Sequence, residues 1–181
     1  MAKDAEVAGG RRGIPWRKVG WSIPAFLMLL PLVAMRFTDE VNWTASDFIF
    51  AGVLFGSVGL GFELIVRKSN NLAYRCGAAL AVVAAFLTIW VNGAVGMIGS
   101  EGNPYNLVFG GVLLVALLGA TLARFEPAGM ARAMVGTGLA QAAASAVGLS
   151  TDVRGAVLSM GFAGLWLVAA AFFRNAAVPD L

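Results

Sequence analysis

Apolar residues run along this chain in six long blocks, separated by polar connections of five to twelve residues. The blocks are Val19 to Met35, Phe48 to Val66, Cys76 to Ile98, Leu107 to Ala123, Ala133 to Leu149 and Gly155 to Phe173. Each has 17 to 23 residues, and a bilayer core about 30 Å thick needs about 20 helical residues at about 1.5 Å each. Strands of a membrane barrel would alternate apolar and polar positions over about 10 residues. These blocks are continuous, so the pattern predicts helices: an all-α, polytopic membrane protein, a bundle of six transmembrane helices. Residues 1–18 read as a flexible basic cytoplasmic tail, 19–174 as the transmembrane domain, and 175–181 as a short cytoplasmic tail. Pro31 inside the first block should kink that helix and free the carbonyl of Leu27.

Charge placement gives an independent count of the spans. With the N-terminus inside, Lys3, Arg11, Arg12, Arg17, Lys18, Arg67, Lys68, Arg75, Arg124, Arg132 and Arg174 fall on the cytoplasmic side, and only Arg36 and Arg154 fall outside. That is the bias which orients inner-membrane proteins. Asp39, Glu40, Asp47, Glu101 and Asp152 land on the outer connections. Both termini are therefore expected in the cytoplasm. The first block is long for a secretion signal, and Val33-Ala34-Met35-Arg36 makes a poor cleavage site, so it is read as retained.

Composition removes most other classes. Of 181 residues, 59% are hydrophobic and only 13% charged, with a mean hydropathy of +0.80. A soluble domain carries about 25% charged residues. The net charge of +3 does not point to nucleic acid, because the one basic cluster, Arg11 to Lys18, abuts the membrane and suits anionic headgroups. Histidine is absent and Cys76 is the single cysteine, which removes bis-histidine haem, a Ser-His-Asp triad and an intrachain disulfide. No phosphate-binding glycine loop is present. No cofactor, no metal and no enzymatic activity are expected.

The polar residues inside the blocks are the candidates for function. Gly52, Gly56, Gly59, Glu63 and Arg67 share one face of the second helix, and the Gly52–Gly56 pair is suited to close helix packing. Thr88, Asn92, Gly96 and Gly99 align on the third, and Thr137, Gln141, Ser145 and Gly148 on the fifth. Spans two, three and five are accordingly expected at the interior, with one and four facing lipid. Asn92 and Gln141, with Thr88, Thr137, Ser145 and Glu63, form a candidate solute path; the same groups equally serve as packing glue. Glu63 stands in the favourable order for an i,i+4 ion pair with Arg67. Glu101, Asn103 and Trp90 mark a candidate outer mouth, in a connection that is also a plain turn by composition. Asp47–Leu54 and Asn106–Leu113 resemble one another, a weak parallel repeat that chance among Gly/Val/Leu-rich helices also explains.

The stretch Trp90-Val-Asn-Gly-Ala-Val-Gly-Met-Ile-Gly-Ser-Glu-Gly-Asn-Pro-Tyr-Asn-Leu107 resembles small, uncharacterised multi-pass membrane proteins of proteobacteria, with the similarity extending from about residue 40 to 149. The resemblance implies a bacterial inner (plasma) membrane and assigns no activity or functional residue. Two functions stay open: a small-solute or ion transporter or channel acting as a homo-oligomer, and an accessory or assembly subunit of a larger membrane complex. Membrane lipids are partners of either.

Overall fold

A computed structural model describes residues 16–178. The predicted tail over 1–18 lies outside the described residues up to position 15, and so do the last three residues of the C-terminal tail. Six α-helices follow in order: α1 (Trp16–Ala34), α2 (Ala45–Lys68), α3 (Leu72–Ala94), α4 (Val108–Leu122), α5 (Pro127–Gly148) and α6 (Val153–Ala176), with a short 3-10 turn, Pro104–Leu107, leading into α4. No strand occurs among the described residues. Four segments are long and apolar enough to cross a membrane: α2, α3, the stretch Pro104–Leu122 and α6. The described apolar part of α1, Trp21–Ala34, is shorter. With its 22 residues, α5 reaches about 33 Å. Its glycines, Thr137, Gln141 and Ser145 dilute its apolar content.

The chain divides into two compact units, residues 1–59 and 60–181. In the first, α1 contains two prolines, Pro24 as well as the expected Pro31. The Met35 amide donates to the Pro31 carbonyl at 2.9 Å, so the helix closes normally beyond the second proline. A cap begins α2, where the Thr44 amide donates to the Asp47 carboxylate at 2.7 Å and the Asp47 amide donates back to the Thr44 hydroxyl at 3.4 Å. This reciprocal arrangement satisfies donors that a helix start leaves open.

The second unit is a bundle in which α3 packs on α6, α6 on α5, and α5 on α4. Its core joins Tyr74, Ala84, Ala120, Met130, Met134, Trp166 and Phe173. A second cluster of Met97, Ile98, Phe109, Val112, Ala144 and Ala156 closes the other end. Small residues make the close contacts. A Cβ added at Gly119 of α4 would stand 2.8 Å from the Ala133 Cβ of α5, and one at Gly77 of α3 only 3.1 Å from the Ala169 carbonyl of α6. Arg67, Lys68, Arg75, Arg124, Arg132 and Arg174 all belong to the helix ends and turns around Tyr74 and Phe173, whose rings meet edge-on at 5.2 Å. This is the basic end of the unit. The opposite end is made by residues 95–107 and 149–152.

Within the second unit the interior is shared by α5 and by α6, a helix not expected there: α6 buries Ala156, Ser159, Ala163, Trp166, Ala169, Ala170 and Phe173. The alanines of α6 are small enough to let neighbouring helices approach closely, as glycines do. In addition, α3 ends at Ala94, four residues short of the predicted limit. Gly96 and Gly99 adopt φ of +78° and +73°, the left-handed region that glycine enters without a steric cost. They therefore belong to a loop and do not continue the face that carries Thr88 and Asn92.

Candidate functional site

The polar residues of α5 and α6 meet in one buried layer. Gln141, Ser145 and Ser159 are at most 1% exposed. The Ser159 hydroxyl donates to the Ser145 hydroxyl at 2.7 Å. That hydroxyl donates to the Gln141 carbonyl at 2.8 Å, and the Gln141 Nε2 donates to the Ser159 carbonyl at 3.0 Å. These contacts close a ring between the two helices. The ring also fixes the amide, since the reversed orientation would set Oε1 against a carbonyl oxygen. Gln141 Oε1 consequently points elsewhere, and it has no hydrogen-bond partner among the described residues. Trp166 Nε1, two turns along α6 from Ser159, is the second buried polar atom in that condition. A buried acceptor and a buried donor without partners are the usual lodging of an internal water or small polar solute.

The remaining members of the expected path are placed differently. Thr88 and Thr137 are buried, but each hydroxyl donates to the carbonyl one turn back on its own helix, Ala84 at 2.8 Å and Ala133 at 2.9 Å. Asn92 does not join Gln141. Its Nδ2 donates to the Asn106 carbonyl at 3.0 Å, and its Oδ1 receives the Met97 amide at 3.4 Å, so it ties the end of α3 to the loop that follows. Glu63 makes the i,i+4 ion pair with Arg67, at 2.6 Å. Arg75 instead closes the end of α2, donating to the carbonyls of Ser69 at 2.7 Å and Val66 at 3.1 Å and to the Asn70 side chain at 3.0 Å.

The expected outer mouth is a built loop. Asn103 caps the 3-10 turn by accepting from the Tyr105 amide at 3.1 Å, and its Nδ2 donates to the Ile98 carbonyl at 3.0 Å. Asn106 is buried; its Oδ1 accepts from the Ile98 amide at 2.9 Å and its Nδ2 donates to the Ser100 carbonyl at 2.8 Å. Glu101 stays exposed at the tip, and Trp90 stacks on Phe86 at 5.9 Å. Sequence reasoning missed Asn106 and Asp152. Asp152 caps α6 through the Gly155 amide at 3.0 Å and also receives the Gly99 amide at 2.8 Å. Those two amides hold its carboxyl below the ordinary carboxylate value. Asp before the apolar block of α6 was a legible cap signal; its second partner, 53 residues away, was not.

Of the proposed packing glycines, Gly59 abuts the Trp21 ring (3.0 Å from an added Cβ) and Gly52 lies near Met28 (3.9 Å), while Gly56 faces open space. Among the described residues no three of His, Cys, Asp and Glu gather closely enough to hold a metal ion. Comparison with known proteins yields no match, whether to a family model, to a curated protein or to a solved structure.

Proposed function

We propose that this chain is a non-enzymatic integral protein that crosses a bacterial inner membrane six times, keeps both termini in the cytoplasm, and serves as an accessory or assembly subunit of a larger membrane complex. The observation that carries this reading is the use made of the interior polar groups. Side chains expected to line a path are engaged with backbone carbonyls of the bundle, Gln141 between helices and Ser145, Thr88 and Thr137 within their own. Helices in lipid have little hydrophobic drive toward one another and rely on such bonds and on small residues. The basic end of the second unit supports the orientation, because cytoplasmic loops collect Lys and Arg. The open surface at Gly56 supports a contact with another chain.

A second reading, a small-solute or ion path formed as a homo-oligomer, is favoured by the unpartnered Gln141 Oε1 and Trp166 Nε1. Native mass spectrometry of gently extracted protein separates the two. Unrelated subunits in the mass, released by Gly56→Leu, support the accessory role. A mass of identical chains, together with flux in proteoliposomes that Gln141→Leu removes, overturns it in favour of the solute path.

A further inference from the structure

Between α5 and α6, on the face turned away from the core, runs a groove of about 620 Å³ lined by apolar side chains and two arginines. Arg132 stands in the second turn of α5 and Arg174 in the last turn of α6, so both cations lie at the basic end of the bundle. Beyond them the groove continues over Val135, Leu139 and Leu167, which are 42%, 63% and 45% exposed. Gly136 forms part of its floor, and a Cβ added there meets no atom within 4 Å. Among the described residues neither guanidinium has a hydrogen-bond or ion-pair partner.

We infer that this groove binds an anionic phospholipid, its phosphate held by Arg132 and Arg174 and an acyl chain laid along Val135, Leu139 and Leu167. Two cations with no counter-charge among the described residues line one groove and repel each other, and an anion between them relieves that repulsion. Guanidinium groups match phosphate oxygens with paired N–H donors. The apolar part leads from the cations toward the middle of α5 and α6, the direction in which a lipid tail runs from its headgroup. Basic pockets between helices at the cytoplasmic surface are suited to acidic lipid headgroups. A zwitterionic lipid offers the same tail but brings its own cation to the arginines. The inference rests on the reading of α5 and α6 as membrane spans with the basic end at the headgroup level.

The test uses the full-length chain in nanodiscs, with phosphatidylglycerol and phosphatidylcholine as probes and lipid retention followed by native mass spectrometry. Wild-type protein is expected to retain phosphatidylglycerol preferentially. Arg132→Gln with Arg174→Gln should weaken that preference about thirtyfold, the effect of about two cations near a membrane surface. Gly136→Leu should lower retention while leaving both arginines and the helix content by circular dichroism unchanged. Equal retention of the two lipids by the wild type overturns the inference, as does full retention by the double variant. Competition by glycerol phosphate as strong as that by phosphatidylglycerol also overturns it, because the groove would then hold a free anion without a tail. Tight binding only after removal of residues 179–181 overturns it in favour of the chain's own C-terminus as occupant. Resistance of the protein to carbonate extraction is measured alongside. Protein that stays in the membrane yet shows no lipid preference refutes the lipid site alone, whereas protein released by carbonate refutes the membrane reading itself.

Discussion

Asp152 receives two backbone amides, one from the first turn of α6 and one from the loop after α3, so a single carboxylate joins two connections of the chain. Because those bonds lower its folded pKa, the ionised form stabilises the fold above the ordinary value of 3.8. That contribution is lost as pH falls through the lower, folded value. Protection of the Gly99 and Gly155 amides, taken relative to their intrinsic exchange rates, should therefore be high at neutral pH and fall together in strong acid. Asp152→Ala should lower both at every pH, and unchanged protection at Gly99 would count against the latch. Gln141 has a different kind of importance. Its amide links α5 to α6, and inter-helix hydrogen bonds in membrane proteins contribute about 0.6 kcal/mol on average. Gln141→Leu should thus lower unfolding stability in detergent by about that amount. A loss several times larger would mean that the open Oε1 coordinates an internal water or solute, which the variant also removes. The identity of such residues was legible in the sequence, since an amide in an apolar block has few reasons to be there. Its partner was not: Asn92 and Gln141 were equally plausible mates until the backbone placed Ser159 opposite one and Asn106 opposite the other.

Whole helices were read from pattern with uneven success, and the failures have a common cause. The apolar run through Ile98 suggested a longer α3, because Val95, Met97 and Ile98 are as apolar as the residues before them. The helix stops at Ala94 because the side chains of Asn92, Asn103 and Asn106 bind the following backbone and because glycine at 96 can turn it. A Cβ at Gly96 would stand 2.5 Å from the Ser100 carbonyl oxygen. With the positive φ added, Gly96→Ala should cost about 1–3 kcal/mol, readable as a lower midpoint in thermal unfolding. The same reasoning separates two glycines of α4. Gly119→Leu should destabilise the α4–α5 hairpin by about 1–3 kcal/mol, since it overfills a tight contact. Gly110→Ala, which meets open space, should change stability by less than about 0.5 kcal/mol. If both behaved alike, the close approach at Gly119 would be wrong. Composition alone could not distinguish these glycines, because each sits in the same kind of Gly/Val/Leu-rich sequence.

At the scale of the whole molecule, the proposed orientation is open to a direct check. In a Cys76→Ala background, Ser150→Cys should react with a membrane-impermeant maleimide added to intact cells, while Ser69→Cys should react only after the membrane is opened. The reverse result would invert the topology. The number and rough extent of the helices, their apolar character and the helix ends at which the arginines gather followed from the sequence by itself. They depend on local quantities: how long an apolar run is, and where charge interrupts it. Which helix is interior, which glycine is tightly packed and which amide meets which carbonyl were decided only by the tertiary structure. Those features depend on what lies across a helix interface. The stripe of Thr137, Gln141, Ser145 and Gly148 marked the buried side of α5, but α6 is apolar or small-residue-rich on every side, so only packing against α3 and α5 could select the side that is buried.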